Sequence, residues 1–399
     1  MDLKPLTALK NITGRRILVR CDFDVPLKTG DQKGEKTLKR AKAPIVSDDM
    51  RLVSSLPTLK YLIRKKARII LLGHLGRPKG QIVPELSLGP VQKRLAKLLK
   101  RKITLVPIER YLGEAPILAV KKIKAGEIIM LENLRFSDRE ELGCRRFAKA
   151  LSALGDYYVN EAFAVSHRIA SSVSVMRTLL PSFAGLHLDA EIKNLSPALV
   201  KPLHPLTLII GGAKIETKLP VIKQFLGQAD QILVGGAVAN DFFKALGYEV
   251  GQSLIDSEYI KDAEQILLKT QELGSKLILP LDVVVSGRKI KIKEPHNVLS
   301  EEMILDIGPK TRHLYQKIIS QSKMIIWNGP MGKFEESKFS TGTRIVAKGI
   351  LETNARCLIG GGETGELFKN KKIPKNIFIS VGGGAMLEFL SGKKLPGLE

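Results

Sequence analysis

The sequence contains little cysteine, few aromatic residues and no long apolar run. Its three cysteines, Cys21, Cys144 and Cys357, lie far apart and show no CxxC or Cys/His metal spacing, which argues against a disulfide framework. No apolar run approaches the roughly 18 residues that a membrane span requires. Met1–Lys10 also lacks the apolar stretch of a secretory signal. These absences predict a cytosolic (cytoplasmic) protein with reduced thiols.

Acidic residues are scarce relative to basic ones. The chain has 64 Lys and Arg against 40 Asp and Glu, a formal charge of +24 at pH 7. Such an excess is typical of proteins that bind nucleic acids. However, the basic residues are spread along the chain, aromatic residues make up only 5% of it, and no RNP or zinc-finger motif occurs. A basic surface that attracts small anions therefore explains the charge better than a specific nucleic-acid site, which stays an alternative.

The abundant residues form a repeated pattern of strand, turn and helix. Hydrophobic residues make up 44% of a chain of 399 residues, a length that favours two domains of similar size. Short aliphatic runs alternate with amphipathic stretches such as Val91–Lys100, which predicts parallel sheets covered on both faces. The predicted fold class is α/β, with two doubly wound, Rossmann-like domains. The predicted strands are Ile17–Arg20, Arg68–Leu72, Ile128–Leu131, Tyr157–Asn160, Thr207–Ile210, Gln231–Val234, Leu277–Leu279, Met324–Trp327, Cys357–Ile359 and Ile377–Ser380.

A helical pattern followed by prolines separates the two halves. Leu186–Leu199 is predicted to be a connecting helix, and Val200–Pro205 the boundary beyond it. A crossover helix within one domain is the alternative. The predicted division is an N-terminal domain at 1–185, a connecting helix at 186–200 and a C-terminal domain from 201 onwards.

Arginine and histidine follow the predicted strands of the first half. Open α/β sheets bind ligands at the carboxyl ends of their strands, so these side chains are expected to converge. Guanidinium groups match phosphate and carboxylate oxygens and stay protonated. A single arginine is more often a solvated charge, but several at successive strand ends favour a site for a ligand with two anionic ends. These residues are Arg20, Arg51, Arg77, Arg135, Arg168, His74 and His167.

Glycine-rich turns follow the predicted strands of the second half. Gly211–Lys218 opens a predicted helix, and its two lysines are spaced to project from one helical face. Gly360–Thr364 contains a carboxylate, Glu363, of the kind that binds magnesium, and Gly382–Gly384 supplies a third turn. Glycine lets backbone amides approach phosphate at a helix N-terminus, although tight packing also selects glycine. Three such turns with two lysines favour a nucleotide site.

No arrangement of a protein nucleophile with a base is evident. The patterns GxSxG, HExxH and GxxxxGK[ST] do not occur. Phosphoryl transfer depends on positioning and charge neutralisation more than on a nucleophile of the protein. The two predicted sites supply both, so the residues favour that reaction.

Motifs in a fixed order, from about Leu9 to Glu399, resemble those of the phosphoglycerate kinase family. The most specific are Leu131–Phe136 (LENLRF) and Trp327–Gly332 (WNGPMG). The other matching segments are Val19–Pro26, Asp48–Arg51, Leu72–Pro78, Gly211–Lys218, Leu279–Val285, Asp306–Pro309 and Gly382–Glu399.

The resemblance implies a phosphotransferase of glycolysis with a carboxyl group as acceptor. It implies reversible transfer between 1,3-bisphosphoglycerate and MgADP, giving 3-phosphoglycerate and MgATP, in line after hinge closure. It also implies Mg²⁺ as the cofactor, a monomer, and a C-terminal tail at 386–399 that follows a C-terminal domain at 201–385 and returns to the N-terminal domain. The weighed alternatives are a weakened relative that acts as a binding or scaffold protein, and a kinase that also binds nucleic acid.

The resemblance assigns residues to three roles, and it assigns the metal to Glu363. The implied catalytic residues are Arg51, Lys214 and Lys218. The implied substrate-binding residues are Asp22, Phe23, Asp24, Arg51, His74, Leu75, Gly76, Arg77, Arg135, His167 and Arg168. The implied nucleotide-binding residues are Gly211, Gly212, Lys214, Lys218, Gly308, Glu335, Gly361, Gly362, Glu363 and Thr364.

Several positions depart from the family pattern. Asp24 stands where the family usually has Asn, and Glu161 and Glu363 each stand where it has Asp. The polar, basic stretch Lys28–Lys42 is longer than in most relatives and is expected to be an exposed loop. The remaining departures are Ala164–Ser166 for Gly-Thr-Ala, Val381 for Thr and Met386 for Ser.

Overall fold

A computed structural model describes residues 3–28, 44–109, 112–273, 276–369 and 371–399. By internal contacts the chain divides into a first unit, Met1–Ile192 with Lys394–Glu399, and a second unit, Lys193–Lys393. The division falls inside the predicted connecting helix. Of the predicted tail at 386–399, only Lys394–Glu399 belongs to the first unit, so the returning segment is shorter than predicted. The predicted loop Lys28–Lys42 lies outside the described residues apart from Lys28.

The first unit alternates strands and helices. Its strands are β1 (Lys4–Pro5), β2 (Arg16–Arg20), β3 (Leu27–Lys28), β4 (Ile45–Val46), β5 (Arg68–Leu72), β6 (Ile103–Val106), β7 (Ile128–Leu131), β8 (Tyr157–Asn160) and β9 (Ser182–Ala184). Its helices are α1 (Met50–Arg64), α2 (Gly89–Leu99), α3 (Glu114–Lys122), α4 (Asp138–Glu141), α5 (Arg145–Ser152) and the first part of α6 (Leu186–Val200).

Seven of these strands form one parallel sheet in the order β1-β9-β8-β2-β5-β7-β6. Successive residues of β2 enter opposite cores: Ile17 and Val19 pack on one face, and Leu18 on the other. Both faces are therefore buried, which is why the central strands are continuously apolar in sequence. Helix α2 covers one face through Val91, Leu95 and Leu99, spaced four residues apart.

The second unit contains the remaining elements. Its strands are β10 (Leu206–Ile210), β11 (Gln231–Val234), β12 (Lys276–Ile278), β13 (Val283–Ser286), β14 (Lys291–Lys293), β15 (Met303–Ile307), β16 (Met324–Asn328), β17 (Arg356–Gly360) and β18 (Ile377–Ile379). Its helices are α7 (Leu219–Phe225), α8 (Gly236–Ala245), α9 (Ile260–Leu273), α10 (Pro309–Gln321), α11 (Thr341–Glu352), α12 (Gly362–Glu366) and α13 (Gly384–Leu390).

Six of these strands form a second parallel sheet in the order β12-β11-β10-β16-β17-β18. Strands β13, β14 and β15 form a separate antiparallel sheet, which the sequence pattern did not predict. Helix α13 packs on α7 within this unit, with Met386 and Leu390 fully buried. That burial is why the segment that belongs to the first unit begins only after this helix, at Lys394, and not at residue 386 as predicted.

All ten predicted strands are present, with ends within one residue of the predicted ones. The parallel sheets confirm the predicted fold class. None of the described helices is long and apolar enough to cross a membrane.

Candidate active site

Asp22 and Asp24 follow strand β2 and lie beside the first turn of helix α1. Arg51, on that turn, places Nη1 3.0 Å from Asp22 Oδ2. The same nitrogen donates to the main-chain oxygen of Asp24 over 3.0 Å. Asp24 Oδ1 accepts a hydrogen bond of 2.9 Å from the amide of Gly76, which follows strand β5. Three separate sequence motifs therefore form one cluster at the carboxyl edge of the sheet.

Asp22 is almost fully buried. Burial raises the pKa of its carboxyl group, and the Arg51 guanidinium opposes that change. A buried carboxylate is costly unless a cation compensates it. Arg51 is thus the main group that favours the ionised form of Asp22, followed by the Asp24 amide and Arg20.

His74 lies at the end of β5 and is only 2% exposed. Its Nδ1 is 3.0 Å from Nη2 of Arg20, and a guanidinium can only donate, so Nδ1 is the acceptor. Burial, followed by repulsion from Arg20 and Arg135, lowers the pKa of His74 well below its ordinary value. The neutral ring therefore carries its proton on Nε2, which lies 3.9 Å from Asp24 Oδ2.

Arg20 is fixed by a hydrogen-bonded chain that ends at a buried acidic residue, Glu140. Its Nε donates to Ser172 Oγ over 2.9 Å, and Ser172 donates in turn to Glu140 Oε1 over 2.5 Å. Glu140 Oε2 also accepts from the Ser172 amide over 3.0 Å. This chain fixes the guanidinium that orients His74.

Arg135, His167 and Arg168 line one cavity of about 410 Å³ together with Arg20 and Glu140. Arg135 is buried and donates from Nη1 to the Gly76 carbonyl oxygen over 2.7 Å, which ties the cavity to the Asp22 cluster. The cavity thus combines three arginines and a histidine.

The remaining predicted substrate residues differ in their exposure. Arg77 is exposed. The side chains of Phe23 and Leu75 belong to the hydrophobic core, and a Cβ on Gly73 would lie 2.2 Å from the Phe23 ring. The side chains of Phe23 and Leu75 therefore pack inwards, so any contact with a ligand would involve their backbone, and their role in substrate binding stays a prediction.

In the second unit, a cavity of about 300 Å³, called here the apolar cavity, opens beside the glycine-rich strand ends. Its lining combines small strand-end residues, aliphatic side chains and three carboxylates, Asp306, Glu335 and Glu363. The lining includes Gly212, Ala213, Gly236, Asn240, Leu254, Met303, Pro330, Met331, Glu335 and Glu363.

Gly236 shows why this wall requires glycine. Its φ is +61°, and a Cβ there would lie 2.6 Å from the amide nitrogen of Gly212 and 2.7 Å from the Pro330 carbonyl oxygen. Two strand-end loops therefore approach each other more closely than a side chain allows.

A second cavity of about 470 Å³, called here the lysine cavity, is lined by Lys218, Asn328, Gly361, Gly383 and Gly384, among others. Lys218 is 9% exposed, and its Nζ donates to Asn328 Oδ1 at the end of β16. Burial lowers the pKa of Lys218 to about 8, and the carboxylate of Glu363 opposes this shift. A desolvated ammonium next to glycine-rich turns is suited to phosphate oxygens.

Glu363 is near a second carboxylate. Partial removal from water, followed by repulsion from Glu335, raises the pKa of Glu363, while Lys218 lowers it. Because both carboxylates line the apolar cavity, a cation between them would relieve the repulsion.

The other predicted nucleotide residues lie outside the described walls of these cavities. Gly211 and Thr364 are buried, and Thr364 Oγ1 accepts from the Gly329 amide over 3.1 Å. Lys214 is exposed, and Gly362 has open space around it. Gly308 caps α10, where a Cβ would lie 2.3 Å from the Asp282 carboxyl carbon; its role in nucleotide binding stays a prediction.

Sequence reasoning missed several residues that the fold brings to these sites. Glu140, Ser172, Asn240, Leu254 and Asn328 were not predicted, although a Gly235–Gly236 pair follows the predicted strand Gln231–Val234 shortly before Asn240. Helical spacing from Gly236 is the signal that identifies Asn240, because residues four apart share a face.

Comparison with known proteins decides the family. The family model described as phosphoglycerate kinase matches residues 6–393. A protein named phosphoglycerate kinase from Clostridium kluyveri is 40% identical over 396 residues, which cover 98% of this chain and 96% of that protein. One from Clostridioides difficile is 39% identical, covering 97% of this chain and 96% of that protein. The chain belongs to the phosphoglycerate kinase family.

Solved phosphoglycerate kinase structures share its fold. The enzyme from Coxiella burnetii has a TM-score of 0.84 at 35% identity and covers 100% of this chain and 98% of that one. The enzyme from Pyrococcus horikoshii has a TM-score of 0.85 at 30% identity, covering 99% and 98%. Family membership confirms the predicted identity as a phosphoglycerate kinase, and therefore as a phosphotransferase.

The described residues contain no group of three or more His, Cys, Asp or Glu side chains that could hold a metal ion. Phosphoglycerate kinases use a nucleotide, and magnesium is usually bound by one or two carboxylates together with substrate phosphates. Glu363, with Glu335 beside it, fits that arrangement better than a complete protein cage.

Proposed function

We propose that this chain transfers a phosphoryl group reversibly between 1,3-bisphosphoglycerate and MgADP, through a cationic site in the first unit and the two cavities of the second. The observation that carries the proposal is the buried Lys218 beside Asn328 and the glycine-rich turns. The carboxylate that interacts with this lysine, Glu363, lines the apolar cavity, which suits a base. The buried ammonium of Lys218 has no counter-ion in direct contact among the described residues, and nucleotide phosphates would supply one.

The first unit would hold the phosphoglycerate. Arg135, Arg168 and His167 line one cavity and are suited to the end of the ligand that does not react. Arg51, at the start of α1, would neutralise the transferring phosphoryl group. Asp22 orients Arg51 through their 3.0 Å contact, and Arg77 and His74 complete the predicted set.

The second unit would hold the nucleotide. The base would occupy the apolar cavity, and Gly212 would let the phosphates approach the backbone. Lys218 and Gly361 would face the phosphates from the lysine cavity, and Lys214 would reach them from the exposed turn. Glu363 would hold the Mg²⁺ that arrives with the nucleotide, and that ion would supply charge neutralisation of the phosphates.

Catalysis by these residues needs no protein nucleophile. Arg51 and Lys218 would neutralise charge on the transferring group, and the carboxylate of 3-phosphoglycerate would be the acceptor in the reverse direction. We propose that hinge closure aligns the two ligands and excludes water, since water would hydrolyse the acyl phosphate.

A coupled assay tests the proposal directly. The assay would contain 3-phosphoglycerate, ATP and a second enzyme that reduces the 1,3-bisphosphoglycerate product with NADH. The oxidation of NADH would be followed with and without magnesium. Turnover that requires both the acid and magnesium supports the proposal. Binding of both ligands without turnover would support the scaffold alternative instead. Light scattering on the same preparation tests the proposed monomer, and fractionation of source cells tests the proposed cytoplasmic location.

A further inference from the structure

The loops that precede four adjacent strands of the first unit form a strongly basic surface. Strands β2, β5, β7 and β6 are neighbours in that order. Because these strands are parallel, the loops before them lie at one edge of the sheet, opposite the edge that carries the candidate substrate site. The loops are residues 13–15, 64–66, 121–127 and 100–102, and together they are called here the basic edge.

The basic edge contains almost no acidic residue. The first loop holds one basic residue and each of the others holds three, whereas Glu127 is the single acidic residue of the four loops. All ten basic side chains are exposed, and none of them pairs with a carboxylate among the described residues. Asp156, in the loop before the neighbouring strand β8, pairs with Arg16 over 2.6 Å instead. The positive charge of this edge is therefore uncompensated within the described part of the chain.

Backbone pairing places these charges side by side. The Gly14 amide donates to the Lys66 carbonyl oxygen over 3.0 Å, and the Gly126 amide donates to the Ala67 carbonyl oxygen over 2.8 Å. The fourth loop ends at Ile103, which pairs with the first residue of β7. The four loops therefore form one continuous surface about 14 Å wide, since neighbouring strands lie about 4.8 Å apart.

Cations from two of the loops also converge on a cavity. Helices α1 and α2 pack against each other, and this packing brings the loops that follow them together. Arg64 and Arg101 line a cavity of about 420 Å³ with Lys60, and Ile63 and Leu99 form part of its apolar wall. Like charges around one cavity repel each other, and a phosphate group between them would relieve that repulsion.

Two ordinary explanations do not account for this charge. Helices α1, α2 and α3 end at the basic edge, and each helix C-terminus carries about half a negative elementary charge that favours nearby cations. Three helix ends compensate much less charge than ten basic side chains carry. Attraction of the substrate would place the charge at the carboxyl edge of the sheet, and the basic edge is the opposite one. The excess cations repel each other unless an anionic partner binds.

The shape and composition of the surface favour a duplex of nucleic acid. A duplex carries one phosphate charge per about 1.7 Å of its axis, so a segment as wide as the basic edge presents about eight phosphates. Single strands are usually bound by stacking on aromatic side chains, and the four loops contain none. Membrane surfaces are bound by apolar side chains together with basic ones. None of the exposed large hydrophobic residues of the described chain lies in these loops.

We propose that the basic edge binds double-stranded nucleic acid through its phosphate backbone, without reading the base sequence. Lysine and arginine neutralise phosphates and release condensed counterions, which supplies the binding free energy. Sequence is read by side chains that enter a groove on a helix or a β-ribbon, and the basic edge consists of short loops. This binding is separate from the proposed kinase function and does not depend on it.

The wild-type protein provides the first test, through the fluorescence anisotropy of two labelled DNA duplexes of unrelated sequence. We expect equal affinity for both, with a Kd of about 1–100 μM at physiological salt and a slope of log K against log salt of about −4 or steeper. Saturation with 3-phosphoglycerate and MgADP at matched ionic strength should leave this affinity unchanged. Absence of binding at about 50 mM salt, or displacement of the duplex by the substrates, overturns the proposal.

A triple variant provides the second test. Lys65→Gln, Lys102→Gln and Lys124→Gln together remove one charge from each of three loops. If all three lysines contact phosphates, the slope should become less steep by about 2–3. The kcat of the kinase reaction should not change, because these loops lie away from the candidate substrate site. Wild-type affinity and slope in this variant overturn the proposal.

The matched control removes the same charge elsewhere. Lys261 and Lys269 on α9 and Lys348 on α11 are exposed lysines of the second unit. Lys261→Gln, Lys269→Gln and Lys348→Gln together should leave the affinity and the slope unchanged. An equal loss of binding in both triple variants overturns the proposal, because the net charge of the chain would then explain the binding without the basic edge.

Lysine acetylation followed by mass spectrometry locates the surface on the wild-type protein, and it decides if the first triple variant does not fold. The duplex should protect Lys65, Lys66 and Lys102 from acetylation, and leave Lys261 and Lys269 reactive. Protection that is confined to lysines outside the basic edge overturns the proposal. Binding to vesicles of phosphatidylserine and phosphatidylcholine without binding to the duplexes also overturns it, and would identify a membrane as the partner.

Discussion

Arg51 Nη1 lies 3.0 Å from Oδ2 of Asp22, a carboxylate that is almost fully buried at the end of strand β2. The arginine itself is about one-third exposed, so it can face a ligand while the buried Asp22 carboxylate fixes its position. A guanidinium that is fixed before the ligand arrives loses less rotamer freedom when it binds. This contact is the basis for the first prediction.

Arg51→Ala is expected to lower kcat by about 100-fold or more, while KM for 3-phosphoglycerate rises much less. The reason is that a cation on the transferring group acts mainly in the transition state. Steady-state kinetics in the coupled assay measures both constants. Arg51→Lys retains the positive charge but not the planar guanidinium group, so its kcat should lie between those of the wild type and Arg51→Ala. A raised KM with kcat unchanged would assign Arg51 to ground-state binding only.

Asp24→Asn is expected to lower KM for 3-phosphoglycerate several-fold. Asp24 places a carboxylate beside an anionic ligand, whereas Asn keeps the oxygen that accepts from the Gly76 amide at 2.9 Å. The difference in KM between the wild type and Asp24→Asn should decrease as the salt concentration is raised, because exposed charges are screened. Initial rates at two ionic strengths test this, with Asp24→Glu as the variant that keeps the charge. An increase in KM for Asp24→Asn would show that the carboxylate has a positive role.

Lys218 predicts a pH dependence in the free enzyme. Its pKa is lowered to about 8 by burial, so it loses its charge as the pH rises through that value. If the charged form binds the nucleotide, kcat/KM for ATP should fall above about pH 8, because this ratio reports groups of the free enzyme. Lys218→Arg should move the fall out of the accessible range, since arginine stays protonated. An unchanged profile in Lys218→Arg would assign the fall to another group.

Glu161 predicts a pH dependence of stability. It follows strand β8, and its Oε1 accepts from the His187 amide in the first turn of α6 over 3.2 Å. Burial raises the pKa of Glu161 to about 8 from an ordinary 4.5. The folded state therefore holds a proton that the unfolded state releases, and its contribution to stability is complete below about pH 4.5 and is lost as the pH rises through about 8.

Glu161→Gln is expected to remove this loss. Between pH 6 and pH 9 the wild type should lose on the order of 1–3 kcal/mol of unfolding free energy more than the variant. Urea unfolding at the two pH values measures the difference. Other buried acids titrate in both proteins, so the comparison isolates Glu161. Identical pH profiles would show that Glu161 titrates normally.

The ten predicted strands were recognisable because most of them are buried on both faces of their sheet. Residues of β2, β5 and β8 are covered on both faces, so each strand is a continuous apolar run between polar turns. Strands β6 and β14 were missed because their burial is mixed: Thr104 and Lys291 are exposed. Both strands lie at the edge of their sheets, and short edge strands leave little apolar pattern in the sequence.

The candidate site was predictable where residues follow strands directly. Asp22, His74 and Arg135 each come just after a strand, and parallel strands end at one edge of the sheet. Residues that reach the site from elsewhere were missed. Asn328 meets Lys218 across a separation of 110 residues, and Glu140 supports Arg20 through Ser172.

By itself the sequence determined the fold class, the family resemblance and the two sets of strand-end residues, because these depend on local apolar runs and on short motifs. The tertiary structure decided which of those residues are accessible. It buried Phe23 and Lys218, assigned Gly308 to a helix cap and brought Asn240 into the cavity wall. The physical reason is that burial, and with it the pKa of each ionisable group, depends on neighbours that are distant in the chain and meet only when it folds.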